Sequence, residues 1–175
     1  MTKRSAGILM FRRRGESPEV FLVHPGGPFW SKKDDGSWSI PKGLYQDDED
    51  ALVAAKREFL EETGFSPSGD LTKLGDFKQP SGKIISAWAV EDDIDPSKIV
   101  SNTFTLEWPP KSGSVKEFPE VDRASWFGLS EAMQKITKGQ TPILTAFTEK
   151  LGVVVADLKS SSPKKFDSKG QGSLF

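Results

Sequence analysis

Apolar residues along the chain occur in short runs that are typical of β-strands. Residues 5–12 contain four consecutive apolar side chains, and residues 19–24 (EVFLVH) form a second run. A polar link that contains Gly and Pro separates the two runs, as in a hairpin connection. Further strands are predicted at residues 38–40, 71–78, 83–90, 103–108 and 123–127.

One segment has the pattern of an amphipathic helix. Residues 48–63 contain ALVAAKREFLEET, which is rich in strong helix formers, and acidic residues crowd its start, where the helix dipole favours them. Leu52, Ala55 and Phe59 recur at helical spacing and mark the buried face. Gly64 follows as a left-handed cap would. Shorter helices are predicted at residues 129–137 and 142–151.

Strands outnumber helices in this pattern, and the longest helix lies between two groups of strands. The pattern therefore predicts an α+β fold with helices packed on a sheet. The length of 175 residues suits one domain, which we place at residues 1–157. Residues 158–175 are polar and rich in Ser and Lys, which predicts a disordered tail.

The composition excludes several classes of site. The chain has no Cys and a single His, His24, so thiolate catalysis and zinc sites built from Cys or several His are excluded. We interpret His24 as structural. The formal net charge of −1 gives no basic excess for general nucleic-acid binding. The N-terminal apolar run is too short for a membrane span, so we expect no membrane partner and a cytoplasmic location.

A cluster of carboxylates at residues 57–62 (REFLEE) is the strongest candidate for chemistry. On a helix, Glu58, Glu61 and Glu62 share one side because they stand three and four residues apart. Hard oxygen ligands of this kind select Mg²⁺, Mn²⁺ or Ca²⁺. Arg57 is spaced to orient one of the carboxylates. The alternative interpretation is a solvated acidic helix face.

The spacing around this cluster resembles the Nudix box of the Nudix hydrolase family. That box begins with Gly, has Glu six residues later, and continues with Arg-Glu, an apolar residue, Glu-Glu, Gly and an apolar residue at fixed intervals. Every position is filled, with seven identities and two apolar matches: Gly43, Glu49, Arg57, Glu58, Phe59, Glu61, Glu62, Gly64 and Phe65. Chance would give such a match on the order of once in ten million chains, so coincidence is not a workable explanation.

The resemblance implies a fold, a cofactor and a reaction. The fold is a mixed β-sheet sandwiched between helices, and the likeness covers about residues 5–151. Glu58, Glu61, Glu62 and the backbone carbonyl of Gly43 would bind Mg²⁺, with Mn²⁺ as a substitute, and Arg57 would hold the carboxylates. Water activated by the metal and a glutamate base would then cut a phosphoanhydride bond in a nucleoside diphosphate linked to another moiety.

Residues outside the box supply candidates for the base and for substrate binding. Glu117 or Glu120 is expected to complete the metal site or to act as the base, and Glu117 is favoured because a Gly- and Ser-containing stretch precedes it. If the base lies within the box, Glu61 is the candidate. The candidates for binding a small-molecule nucleotide through its phosphates or its base are Lys42, Lys32, Lys33, Trp30 and Trp38. For the lysines the alternative is a solvated surface, and for the tryptophans it is packing in the core.

Substrate identity stays open because family specificity lies in loops outside the box. The chain looks most like the nucleotide-polyphosphate branches, including diadenosine polyphosphate hydrolases. Nucleoside-diphosphate sugars, damaged nucleoside triphosphates and 5′-triphosphate RNA ends are alternatives. A non-catalytic nucleotide-binding regulator with the same fold is the alternative function. The sequence does not indicate an oligomeric state.

Overall fold

The computed structural model describes residues 2–15 and 17–150, and its centre is a mixed sheet. β1 (Arg4–Arg14) lies in the middle, pairing antiparallel with β2 (Ser17–Pro25) and parallel with β5 (Ile84–Glu91). β4 (Leu71–Lys78) extends the sheet beyond β5, and β8 (Val121–Gly128) extends it beyond β2. The short β3 (Lys42–Leu44) pairs with the start of β1.

Helices cover both faces of this sheet. α1 (Ala51–Thr63) packs on one face, while α2 (Leu129–Lys135) and α3 (Thr141–Lys150) pack on the other. The predicted mixed sheet between helices is therefore confirmed. None of the described helices is long and apolar enough to cross a membrane.

Two buried clusters explain the uninterrupted apolar run in β1. Ile8 and Met10 lie with Phe59 of α1 in one cluster, whereas Leu9 lies with Phe147 of α3 in the other. Successive residues of a strand point to opposite faces, so a strand that is covered on both faces needs apolar residues throughout. The run that predicted a strand is thus a consequence of burial on two sides.

A separate two-stranded hairpin stands beside the main sheet. β6 (Thr103–Glu107) pairs antiparallel with β7 (Val115–Pro119), and Phe104 faces Phe118 across the pair. β6 was predicted at residues 103–108, whereas no strand was predicted at residues 115–119, and the stretch KSGSVKE at residues 111–117 was expected to be flexible. β7 forms by pairing with residues that lie 8 to 16 positions earlier in the chain, a contact that the pattern of residues 115–119 does not reveal.

Two other boundaries differ from the prediction. The main helix begins at Ala51 rather than at residue 48, because the Asp50 side chain accepts a hydrogen bond from the Val53 amide and caps it. Residues 38–40 form only isolated bridges to Val23 and Ile136 instead of a strand. The predicted tail at residues 158–175, and with it the end of the proposed domain, lies outside the described residues.

Candidate active site

Helix α1 has a fixed start, a fixed end and a fixed rotation about its axis. Asp50 caps its first turn, and Gly64 adopts a left-handed conformation with φ of 80° and donates its amide to the carbonyl of Leu60. Phe59 is fully buried against Phe21, with ring centroids 6.2 Å apart. Because Phe59 anchors one face in the core, the neighbouring carboxylates at 58, 61 and 62 are held at the edge of the sheet.

Arg57 links three carboxylates. Its guanidinium donates two hydrogen bonds to Glu49, at 2.9 and 3.0 Å, and further bonds to Glu58 at 2.7 Å and to Glu61 at 3.1 Å. The hydrogen bonds to Glu49 are the main reason that the pKa of Arg57 is raised, so this side chain stays charged. Arg57 therefore orients Glu58 and Glu61 while it is itself held by Glu49.

Glu58 lies directly against the backbone of Gly43. The Glu58 side chain is buried, and a Cβ atom added at Gly43 would overlap its carboxylate. Only glycine therefore allows strand β3 to approach helix α1 so closely. Burial raises the pKa of Glu58, although its hydrogen bond from Arg57 opposes the effect.

Glu62 pairs with Lys42 at the other end of this contact. The amide of Lys42 donates to Glu62 Oε1 at 3.3 Å. Burial raises the pKa of Glu62 to about 8, and the nearby charge of Lys42 opposes that rise. Burial likewise lowers the pKa of Lys42. Lys42 and Glu62 thus lie together where water solvates their charged forms poorly.

Glu120 brings a fourth carboxylate to the same place from another part of the chain. It precedes β8, and its backbone is held by hydrogen bonds from its amide to Asn102 and from Gly26 to its carbonyl. Burial raises its pKa, and the charge of Glu61 raises it further. Glu120 also raises the pKa of Glu58 and Glu62, so the four carboxylates share one electrostatic environment.

These groups line one open cavity of about 460 Å³. Helix α1 contributes its three glutamates, and the other walls come from β3, β6 and the segment around residue 26. The lining residues are Gly26, Trp30, Lys42, Gly43, Leu44, Glu58, Glu61, Glu62, Phe104 and Glu120. The cavity therefore combines an acidic wall with one lysine and two aromatic rings.

Glu117, the favoured candidate for the base, does not line this cavity. It lies in β7, and its carboxylate accepts a hydrogen bond of 2.6 Å from the Thr103 hydroxyl. Glu117 was favoured as the base because the stretch before it could fold over the site, but Glu117 lies in a strand instead. Glu120, the other candidate, is the residue that the fold brings beside Glu61.

The two candidate tryptophans have different surroundings. Trp30 is 43% exposed and lines the cavity, whereas Trp38 is 5% exposed and packs edge-on against Phe127. The Trp38 indole donates to Asp34 at 2.8 Å, so its polar atom is already satisfied. The structure thus places Trp30 at the site and Trp38 in the core.

Lys32 and Lys33 do not line the carboxylate cavity, whereas Lys42 does. The carbonyl of Lys33 instead accepts a hydrogen bond from His24, whose other ring nitrogen lies 2.9 Å from Asp122. His24 is fully buried, and its contacts fit a structural role.

Phe104 and Gly26 line the site although no pattern in the sequence selects them. Phe104 reaches the site because the β6–β7 hairpin folds beside residues 26–30, and its ring lies close to Gly27. Gly26 packs so tightly against the carbonyl of Pro119 that a Cβ atom would overlap it. The alternation of apolar and polar residues along β6 indicates that Phe104 faces one side of the strand, but it does not indicate which segment of the chain packs on that side.

The donor set suits a hard divalent cation. Four carboxylates that repel one another, with the backbone of Gly43 beside them, offer the oxygen ligands that Mg²⁺ and Mn²⁺ prefer. Within residues 2–15 and 17–150, however, no three acidic or histidine side chains already stand in metal-binding geometry. Arg57 and the Lys42 amide hold three of the carboxylates in other hydrogen bonds, so a cation would have to compete with these contacts.

Comparisons with known proteins agree with this arrangement. The family model described as the NUDIX domain matches residues 1–147. An uncharacterized 17.7 kDa protein from the e-segB intergenic region of Enterobacteria phage T4 is 40% identical over 86 residues, which span 47% of this chain and 55% of the phage protein.

Similar solved structures support the same fold. The NUDIX domain of Shewanella oneidensis NrtR, complexed with ADP ribose, is 14% identical with a TM-score of 0.59, and the match covers 86% of this chain and 89% of that one. The Ap4A hydrolase of C. elegans is 19% identical with a TM-score of 0.57, and the match covers 86% and 99%. At these identities the likeness concerns the fold alone.

Proposed function

Since the chain belongs to the Nudix hydrolase family, we propose that it hydrolyses a phosphoanhydride bond in a nucleoside diphosphate linked to another moiety, with Mg²⁺ as its cofactor. One observation carries the proposal. Glu58, Glu61 and Glu62 meet Glu120 in a cavity that also contains a lysine and two aromatic rings. That combination suits a metal ion, a phosphate and a base in one place.

The proposed cation ligands are Glu58, Glu61, Glu62 and the carbonyl of Gly43. Mn²⁺ would be accepted in place of Mg²⁺ because both prefer oxygen ligands. When bound, the ion supplies neutralisation of phosphoryl charge and a lower pKa for coordinated water. Arg57 acts as a positioning residue, since its four hydrogen bonds fix the carboxylates of α1 and Glu49.

Glu120 is the proposed general base. A base must come within hydrogen-bond reach of the water from which it takes a proton, directly or through one water. Glu120 lines the cavity and its pKa is raised by burial, so its carboxylate is a stronger proton acceptor than an exposed one. The alternative, Glu117, is hydrogen-bonded to Thr103 outside the cavity lining.

Lys42 and Trp30 are the proposed substrate contacts. Lys42 would bind a phosphate, which offsets the acidic wall, and Trp30 or Phe104 would stack on the base. Lys32, Lys33 and Trp38 were further candidates, but they do not line the cavity and are left out of the proposal. The partner is therefore a small-molecule nucleotide.

Among substrates, we favour nucleotide polyphosphates and dinucleoside polyphosphates. The sequence resemblance supports this preference, and the C. elegans Ap4A hydrolase has the same fold. Absence of general nucleic-acid binding, a cytoplasmic location and a domain at residues 1–157 stay predictions.

The test is a Mg²⁺-dependent screen of a nucleotide panel, with products identified by mass. The panel contains nucleoside triphosphates, dinucleoside polyphosphates and nucleoside-diphosphate sugars. The wild-type protein should turn over at least one compound, and Glu58→Gln or Glu62→Gln should abolish that turnover in a folded protein. Near-normal activity of either variant at millimolar Mg²⁺ would contradict the assignment of the metal ligands.

A further inference from the structure

A groove lined by lysines continues from the candidate active site. We propose that this groove, at Lys83 and Lys138, binds an anionic group of the substrate beyond the phosphate held at Lys42, so that the enzyme prefers substrates with an additional phosphate there. The inference rests on the proposed function, because it assigns a substrate class to the same site. It concerns residues that lie outside the Nudix box.

The groove adjoins the carboxylate cavity. A second cavity of about 510 Å³ shares Trp30 and Lys42 with it. A third, of about 540 Å³, shares Ser81 and Lys83 with the second and adds Lys3. Lys42 therefore borders both the carboxylate cavity and the groove that contains Lys83.

The charged side chains that line the second cavity are all positive. In the part of the chain that the structure describes, the second cavity is lined by Lys42, Lys83 and Lys138 and by no Asp or Glu. Among the same described residues, none of these three lysines has a carboxylate within ion-pair distance, whereas Lys135 nearby is paired with Asp34 and Asp35. Lys83 also repels the charge of Lys42. Lys42 is also attracted by Glu62 and Glu58 of the carboxylate cavity, so the cations of the groove that lack an acidic neighbour in its described lining are Lys83 and Lys138. Like charges that lie close together repel one another unless an anion binds between them.

Hydrogen bonds hold the polar residues and the backbone that line this groove. Gln140 is buried and bonds both Ser39 and the amide of Ile40, at 3.0 and 3.1 Å. Lys83 ends a tight turn in which its carbonyl accepts the Gln79 amide at 2.7 Å. The backbone that carries Lys83 is therefore fixed by a hydrogen bond.

The chemistry of the groove favours a phosphate over a neutral sugar. The protein as a whole is nearly neutral, with 24 basic and 25 acidic residues, so the lysines in the groove are a local feature. Phosphate offers several acceptor oxygens and a full negative charge to such a set. A neutral hexose would leave the like charges uncompensated.

The experiment measures binding and turnover separately. The binding probe is inorganic tripolyphosphate, titrated calorimetrically into the full chain in EDTA, so that no metal contributes. Lys83→Gln and Lys138→Gln should each weaken this binding by roughly tenfold, the size expected for one charge-assisted hydrogen bond. Lys78→Gln is the matched control, because Lys78 is an exposed lysine on the same β4–β5 hairpin that does not line the groove.

Turnover of two substrates tests whether the groove binds a phosphate of the substrate. With Mg²⁺, the two groove variants should raise KM for a dinucleoside tetraphosphate by roughly tenfold and leave kcat unchanged. KM for a nucleoside diphosphate linked to a neutral hexose should not change. Lys83→Arg should restore much of the binding. The inference is overturned if the groove variants behave like Lys78→Gln in both assays, or if KM rises equally for both substrates.

Failure of the proposed function would look different. If the wild-type protein cleaves no phosphoanhydride but tripolyphosphate binding depends on Lys83 and Lys138, the anion site stands and the reaction is wrong. If the wild-type protein cleaves the polyphosphates while both groove variants bind and react normally, the reaction stands and the groove is wrong.

Discussion

At the scale of single residues, the position of Glu120 separates two hypotheses about the base, of which the sequence favoured Glu117. Glu117 and Glu120 are three residues apart, and both precede the last long strand of the sheet. Only Glu120 shares the cavity with the glutamates of α1. The difference arises because Glu117 still belongs to the β6–β7 hairpin, whereas Glu120 lies beyond its end.

We predict that Glu120→Gln lowers kcat by roughly 10²–10⁴-fold, the usual contribution of a general base. KM should change less, because the variant keeps its shape and its backbone contacts. Steady-state assays at saturating Mg²⁺ measure both values. Glu117→Gln is the control and should stay within about twofold of the wild type, since it can keep a hydrogen bond to Thr103. A larger loss for Glu117→Gln than for Glu120→Gln would return the role to Glu117.

Glu62 gives a prediction about pH in the metal-free protein. Its pKa in the folded state is raised to about 8 by burial, above the ordinary value for Glu. An acid with a raised pKa favours folding while it is protonated, so its contribution is complete below the unfolded pKa and is lost as pH rises through 8. In EDTA, the melting temperature of the wild-type protein should therefore fall relative to Glu62→Gln between pH 5 and pH 9.

The same pair of proteins provides the control for this prediction. Mg²⁺ at pH 9 should raise the melting temperature of the wild type more than that of Glu62→Gln, because the cation neutralises the buried carboxylate. If melting temperature depends on pH in the same way for the two proteins in EDTA, burial does not raise the pKa of Glu62.

At the scale of elements, helix α1 depends on its N-cap residue, Asp50, which determines where the helix of the Nudix box begins. The Asp50 side chain accepts a hydrogen bond of 3.1 Å from the Val53 amide. The carboxylates at 58, 61 and 62 begin two turns later in the helix. Because the cap and the buried Phe59 together set the rotation of the helix, they decide that Glu58 meets Gly43 and that Glu62 meets the Lys42 amide rather than solvent.

We predict that Asp50→Ala lowers the free energy of unfolding by about 1 kcal/mol, the typical cost of a lost N-cap. For a domain of this size that corresponds to a fall in melting temperature of about 2–4 °C. Thermal denaturation measures it directly. Asp48→Ala is the matched control, because the sequence placed the helix start at residue 48 while the structure starts the helix at Ala51. A larger effect at Asp48 would favour the earlier start.

At the scale of the whole molecule, the site is assembled from segments that are distant in the chain. The segment at residues 26–30, β3, α1, β6 and the residue before β8 each contribute to the carboxylate cavity. Both faces of the central sheet are covered by helices, so the strands that carry these segments have fixed positions. The geometry of the cavity therefore depends on the whole domain rather than on the box alone.

The polar tail leads to a prediction about the whole chain. Its composition, with many Ser and Lys residues and few apolar ones, predicts that residues 159–175 do not contribute to the core. Deleting them should leave kcat, KM and the melting temperature nearly unchanged. Activity assays and thermal denaturation of the truncated protein check this. A marked loss of stability would mean that the tail packs on the domain.

The local features of this protein were determined by the sequence itself. The spacing of Glu58, Glu61 and Glu62 places them on one side of any helix, and Gly64 ends that helix because it tolerates a left-handed conformation. The run of apolar residues in β1 likewise predicted a strand, because a strand buried on both faces needs one. These inferences depend only on neighbours within about one or two turns of the chain.

The tertiary structure alone decided which distant residues join that helix. Trp30 and Trp38 lie in the same loop, yet one borders the cavity and the other packs against Phe127. Phe104 and Glu120 reach the site through pairing of β6 with β7 and of β2 with β8. A shift of one residue in such a pairing turns every side chain to the opposite face, and local patterns do not fix the register between strands far apart in sequence.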